Sequence, residues 1–462
     1  MSMRSLPIRL AAGGLLAALA MPAGAQAPAR GVSSFQVPVE YHKLPNGLKV
    51  VLSPDRTAPI ATVAVYYGIG FRNEPRNRTG FAHLFEHMMF QGSGNLGKNE
   101  FINLVQSNGG VLNGSTRFDF TNYFEIVPAH TLETMLWAEA DRMRGLQIDQ
   151  SNLTNQQGVV KSEVRVNVLN APYGGFPWLD MPQYANKNWY NAHNFYGDLA
   201  ELDAATLEDV AQFFKTFYAP NNAVVVVVGD IQPAQTLAWV RQYFGNIPAA
   251  QQPPKPDLAE PRQTEEIRAS KDDAKATRPA LAFSYHMPER NTPEYYAMGM
   301  IDQILLQGND ALLREALVQR AGLTGSVSGG INVGLGNMFN YSGPMLWTVS
   351  LFHDNNVPAA RIMASADSTI EALRTQPVDA ATLERARIKV RSTLYDVLGG
   401  FYGFGRADLL ASFALFDDNP ARINQLEAEF ARVTPELIQR TAREYLRPTN
   451  RTVLTIVPKA AP

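Results

Sequence analysis

Two stretches of this chain, 228 residues apart, read alike. TLEDVAQFFKTFYAPNNAVVVVVGD begins at Thr206 and TPELIQRTAREYLRPTNRTVLTIVP begins at Thr434. In that alignment Thr206, Glu208, Pro220 and Asn222 coincide with Thr434, Glu436, Pro448 and Asn450. Each copy reads as a helix, a Pro-Asn turn and a β-branched strand. A period of half the chain points to the duplication of one large unit. That constrains the fold more than any single motif does.

Length agrees with duplication. A single hydrophobic core stops growing near roughly 250–300 residues, and this chain has 462 with 45% apolar side chains. Between the halves, Ile247 to Asp273 is rich in proline and charge and reads as an extended linker. The expected organisation is therefore a first domain at about 35–246, a linker at 247–273 and a second, homologous domain at 274–460. Strand signals are YHKLPNGLKVVLSPD with its Asn46-Gly47 turn, ATVAVYYGIG, and VLNGSTRFDFTNYFEIVP. Helical segments such as NEFINLVQSNGG and HTLETMLWAEADRMRG fall between them without a βαβ rhythm, which favours an α+β class.

The first 25 residues carry Arg4 and Arg9, an apolar run from Leu10 to Met21 and then Ala23-Gly24-Ala25. That is the pattern of a secretory signal peptide, with a run too short to span a bilayer as a helix. No later stretch is apolar enough for a membrane span. Formal charge is −2 and no block of like charges occurs, so nothing favours a nucleic-acid partner. Cysteine is absent, which excludes disulfides, thiolate zinc sites and an acylated N-terminal cysteine. These features fit an exported protein, with a bacterial periplasm as its expected location.

Chemistry concentrates in GFAHLFEHMMF, Gly80 to Phe90. At about 100° per residue, Phe81, Leu84, Phe85, Met88 and Met89 share one face. His83, Glu86 and His87 share the opposite one. Imidazoles at i and i+4 stack one turn apart and can share a metal ion. A surface helix also shows polar residues opposite an apolar stripe, but the chain has only seven histidines. The others, His42, His130, His193, His286 and His353, stand alone. A catalytic zinc takes three protein ligands and an open position, so a third must come from elsewhere. Glu163 in NQQGVVKSEVRVN is a candidate that its position alone does not single out.

Together NGLKVVL, GFAHLFEHMMFQGS, GGVLNGSTRFDFTNYFEIVP, WAEADRM, GVVKSEVRVNVLNAPYG and FYAPNNAVVVVVGD resemble the pitrilysin/insulinase (M16, inverted-zincin) family of metallopeptidases, whose signature is His-x-x-Glu-His. The resemblance implies two homologous domains, each a mostly antiparallel sheet packed with helices, forming half of a clamshell. It implies one Zn²⁺ per chain on His83, His87 and Glu163, the last lying 76 positions beyond His87 as the family spacing requires. Glu86 is then the general base of a metalloendopeptidase. Asn113, Gly114 and Ser115 fall on the family's edge strand, which pairs with an extended peptide substrate.

Two departures stand out. The family's second glutamate, seven residues before the distal ligand, is here Gln156, which can hydrogen-bond beside the ligands but adds no charge. LLREALVQRAGLTGSVSGG places Arg314 at a substrate-binding arginine, but Leu323-Thr324-Gly325 stands where a tyrosine is expected. The expected partner is therefore a related subunit that supplies Arg and Tyr, or a second copy in a homodimer. The runner-up reading is a non-catalytic member, a scaffold or peptide-binding subunit. An exported small-ligand binding protein is the reading from another class.

Overall fold

The β-branched runs become the centres of two sheets in the computed structural model, which describes residues 36–459. The expected signal peptide, residues 1–25, lies outside the described residues. The first sheet contains β1 (Glu40–Lys43), β2 (Lys49–Pro54), β3 (Ile60–Tyr67), β4 (Val111–Thr116), β5 (Thr121–Pro128) and β6 (Ala223–Gly229). The second contains β7 (Ile267–Asp273), β8 (Ala280–His286), β9 (Ser328–Ile331), β10 (Leu346–Phe352) and β11 (Arg451–Pro458). Their orders are β1-β2-β6-β3-β5-β4 and β7-β11-β8-β10-β9. Beyond β1 the two match strand for strand. Each has one parallel pair, β2 with β6 and β7 with β11, and is antiparallel elsewhere. The fold is α+β, two like halves.

The repeat has a physical cause at each identical residue. Thr206 and Thr434 cap their helices, each hydroxyl accepting from the backbone N–H three residues on. Pro220 and Pro448 open short 3₁₀ turns, where a missing N–H costs nothing. Asn222 and Asn450 donate their amides to the carbonyls of Phe217 and Tyr445, closing the helix ends at 2.9 and 2.8 Å.

Each half covers its own sheet on one face and lends a helix to the other half. We label α1 (Phe81–Met88), α2 (Leu132–Arg144), α3 (Gln150–Val164), α4 (Asp180–Ala185), α5 (Ala380–Gly399) and α6 (Phe404–Asp417). Val63, Val65 and Val225 pack with Phe81, Phe85 and Leu136 from α1 and α2. The alternate residues Ala64, Tyr66 and Val226 pack with Leu410 and Phe413 of α6, from the second half. In return, Met181 and Ala185 of α4 pack on Ala280, Ala282 and Leu454 of the second sheet. The 228-residue offset that aligns the repeat also sets Asp180 of α4 against Asp408 of α6. Asp180 is paired with Lys271 at 2.9 Å, and Asp408 accepts from Tyr66 at 2.8 Å. Burial raises the pKa of both carboxyls.

The segment read as a linker lacks regular structure only through its first 20 residues, 247–266, where Glu260 accepts from the backbone of Lys187 and Asn188. Its last seven residues form β7. The charges of IRASKDD made this stretch look solvated. An edge strand carries such charges on its open face without cost, and β7 alternates half-buried and exposed positions accordingly.

One buried ion pair locks the halves together. Arg72 and Asp119 meet at 3.2 Å with both side chains buried. Asp119 accepts from the backbone of Ser342 at 2.8 Å, and Arg72 donates to the Pro344 carbonyl. Gly343 lies between them, and a Cβ there would run into the Arg72 guanidinium. Gly343→Ala is expected to cost about 1–3 kcal/mol by overpacking. Thermal unfolding checks this, and an unchanged midpoint would show that the loop yields freely.

Candidate metal centre

Helix α1 forms as its periodicity predicts. Phe81, Leu84, Phe85, Met88 and Met89 are all buried against the first sheet and its neighbours. The start of the helix is fixed by an acid that the sequence reading passed over. Glu74, itself fully buried, accepts from the N–H groups of Gly80 at 2.9 Å and Ala82 at 2.6 Å. A carboxylate at a helix N-terminus is favoured by the macrodipole and takes up unpaired donors. Burial raises the Glu74 pKa, while His193, 3.7 Å away, and the two N–H bonds oppose that shift. Glu201 holds the preceding turn through the backbone and hydroxyl of Thr79.

The polar face of α1 is covered by α3 and Tyr196. His83 is buried, and its ring lies 5.1 Å from that of Tyr196 and 5.0 Å from that of His87. Glu163 reaches across from α3. Its Oε1 is 3.5 Å from His83 Nε2, and its Oε2 is 3.3 Å from His87 Nε2. Among the described residues these three form the one group of histidines and carboxylates whose candidate ligand atoms converge, all within 4.8 Å. The facing imidazoles, His83 first and then His87, hold the Glu163 carboxyl well below the usual carboxylate range. The separations exceed a good N–H···O bond. One atom from each residue lies within 4.8 Å of the others, close enough for all three to approach a single ion at about 2.0–2.2 Å with small side-chain adjustments. Two imidazoles and one carboxylate are a catalytic-zinc donor set, and the residues fit the ion.

Glu86 lies between His83 and His87 along α1 and is engaged by β4. Thr116 at the end of β4 donates its hydroxyl to Glu86 Oε2 at 2.7 Å, which leaves Oε1 uncommitted. Gly114 on the same strand lies beneath it. A Cβ at 114 would come 3.2 Å from Glu86 Cγ, so the glycine gives the carboxylate its room. Strand β4 is the edge of its sheet, pairing only with β5. The Gly114 N–H is taken by the Asn113 side-chain oxygen at 2.9 Å, and Ser115 donates to Asn122 at 2.5 Å.

The remaining candidates lie farther from the centre. Gln156 is buried on α3 two turns before Glu163, but its amide nitrogen turns to Asn155 Oδ1 at 2.8 Å rather than to the triad. Arg314 is in the second half at the end of the short helix Leu312–Arg314, and no hydrogen bond or ion pair joins it to the triad. Leu323 is buried, and the Thr324 hydroxyl donates to the Phe352 carbonyl at 2.7 Å. His193 stacks on Trp189 and His286 bonds the Ala185 carbonyl, both away from the centre.

Glu74, Thr116 and Tyr196 are the residues near the centre that sequence reasoning missed. An acid a few residues ahead of a helix start was a legible signal for Glu74. Thr116 and Tyr196 carried none.

A family model described as "Insulinase (Peptidase family M16)" matches residues 49–184, and one described as "Peptidase M16 inactive domain" matches residues 204–390. His83, Glu86, His87 and Glu163 all fall within the first. Zinc protease PqqE of Helicobacter pylori is 24% identical over 422 residues, 90% of this chain and 92% of that protein. Among solved structures, a protease from Helicobacter pylori superposes with a TM-score of 0.82 at 24% identity, covering 91% of this chain and 100% of the other. The periplasmic protease PqqL from Escherichia coli gives 0.72 at 16%, covering 92% of this chain and 48% of that one; its first half, solved separately, gives 0.73 at 17% and is 94% covered. At such identities the structural likeness speaks for the fold alone. The sequence matches go further, and with both halves recognised this chain belongs to peptidase family M16.

Proposed function

We propose that this chain is an exported, periplasmic zinc metalloendopeptidase that cleaves extended peptides or unfolded segments. The observation that carries the reading is the convergence of His83, His87 and Glu163 beside Glu86 and the free edge of β4. Bound zinc supplies a Lewis acid for the scissile carbonyl and acidifies a water molecule. Glu86 takes the proton from the attacking water through the oxygen that Thr116 leaves free, then passes it to the leaving amine. The outer edge of β4 aligns the peptide by main-chain pairing, with Asn113 adding an amide contact and Gly114 and Ser115 backbone groups.

A second chain of the same kind completes the cleft. Leu323-Thr324-Gly325 offers no phenol, and Arg314 makes no hydrogen bond or ion pair with the triad of its own chain. The Escherichia coli structure is about twice as long, and its first half, solved separately, shares the fold of this chain over 94% of its length, as half of a fused pair would. The partner is a related subunit supplying Arg and Tyr, or a second copy. Among the described residues no helix is long and apolar enough to cross a membrane.

The second reading is a non-catalytic subunit. The missing phenol and Gln156 favour it, while the intact triad with Glu86 opposes it. Metal analysis separates the two. The purified chain should hold about one zinc per chain, and Glu163→Gln should hold almost none. A wild-type protein free of zinc after purification without chelator would favour the scaffold.

A further inference from the structure

Two exposed aromatic residues stand on the side of β4 that faces away from Glu86. An extended chain sends successive side chains to opposite faces. On β4, Leu112, Gly114 and Thr116 face α1, as the contacts of Gly114 and Thr116 with Glu86 show. Val111, Asn113 and Ser115 face the other way, and their register partners on β5 are Ile126, Phe124 and Asn122. That second face is covered by α6 and by the turn joining it to α5. Phe124 stacks on Phe404 with ring centres 3.8 Å apart and meets Phe401 edge-on at 6.0 Å. Thr62, the β3 neighbour of Ile126, donates its hydroxyl to the Tyr402 carbonyl at 3.2 Å.

Phe401 meets Phe124 and Phe404 edge-on, but these contacts do not call for the backbone the turn adopts. Phe401 and Tyr402 are consecutive left-handed residues, with φ 44° and 53°. Such a conformation costs a bulky side chain roughly 1–2 kcal/mol per residue. Glycines surround them in GGFYGFG, so cheaper residues for those angles were available nearby. Both rings are nevertheless left in solvent, Phe401 56% and Tyr402 70% exposed. Val111, at the start of the edge strand on the same face, is 48% exposed. Strained, exposed aromatics beside an open strand edge are a feature of binding surfaces.

We propose that Phe401 and Tyr402, with Val111, form an apolar side-chain subsite for the peptide that pairs with β4. It takes the aromatic or long aliphatic side chain of a substrate residue pointing away from Glu86, while residues on either side point towards the metal centre. The inference rests on β4 as the peptide platform and adds a specificity to it: a large apolar residue at the position whose side chain points away from Glu86 beside these rings. The free edge of β4 names the occupant. An added strand leaves its alternate side chains on this face, on the side where these rings stand.

The test uses the full-length zinc-loaded chain carrying Glu86→Gln, so that peptide binds without being cut. Fluorescent extended peptides with Phe, Leu, Ala or Lys at alternate positions are compared by anisotropy. The same measurement is made with Phe401→Asn/Tyr402→Asn, since asparagine tolerates the left-handed angles and keeps the turn. Phe and Leu peptides should bind about 10-fold or more tighter than Ala peptides. That ratio should fall to near one in the double Asn variant and persist in Tyr402→Phe. An unchanged ratio in the double Asn variant overturns the subsite, as does a loss of self-association in that variant with peptide preference intact. Tight, Phe-dependent binding to a wild-type chain that cleaves nothing with any partner sinks the peptidase reading alone. Absence of all peptide binding sinks both.

Discussion

Glu86→Gln is expected to reduce peptide hydrolysis by about 10²–10⁴-fold while zinc stays at its wild-type content. The magnitude is that of removing a positioned general base. The geometry says why metal should survive. Glu86 lies outside the converging triad, and its Oε2 is already engaged by Thr116. A glutamine fills the same space over Gly114 and accepts the same hydroxyl through its carbonyl oxygen, so the strand and helix stay in register. What it lacks is an oxygen able to take a proton from water. Steady-state cleavage of a fluorogenic peptide, with zinc measured on the same sample, separates this loss from loss of metal. Undiminished cleavage would mean that another group moves the proton.

Arg142→Met is expected to destabilise the fold by about 3–5 kcal/mol, the cost of leaving a buried charge unpaired. Arg142 on α2 is buried between Glu139 of its own helix and Glu125 of β5, 3.3 Å away, and it lies 3.7 Å from the centre of the Phe101 ring. Burial, then the neighbouring charge of Glu139, raises the Glu125 pKa well above its ordinary value. Glu125 is thereby biased towards its neutral form, and Arg142 is the cation that faces both carboxyls. Without the guanidinium, Glu139 has no cation in an apolar interior. Denaturant unfolding measures the loss. Adding Glu139→Gln to Arg142→Met should recover much of it, since the unpaired charge is then gone. A raised carboxyl pKa in the folded state also fixes the sign with pH. The folded protein binds that proton more tightly than the unfolded chain, so this stability is present at low pH and is lost as pH rises through the folded-state value. A variant as stable as wild type would show that solvent reaches the cluster.

The sequence showed most of what periodicity can show. The apolar face of α1, the Asn46-Gly47 hairpin and the repeated helix-turn-strand all appear where the pattern put them, because each depends on neighbours in the chain. The histidine pair was legible for the same reason, as i and i+4 share a face by helix geometry alone. Glu163 was not. Its link to His87 crosses 76 residues, and only resemblance to a known family pointed to it. The exchange of α4 and α6 between the halves was invisible, since a helix's apolar stripe does not say which sheet will cover it. Strand β7 was hidden by its charges. Glu74 was legible as an acid ahead of a helix start, and the folded chain shows it taking the N–H groups of Gly80 and Ala82.

Everything chemical in this account depends on one ion held by residues from two helices. Anomalous diffraction at the zinc edge, on crystals of the full chain grown without chelator, measures that directly. The account predicts one strong peak about 2.0–2.2 Å from His83 Nε2, His87 Nε2 and a Glu163 oxygen. A stoichiometric peak elsewhere in the chain, with these three side chains bare, would contradict it.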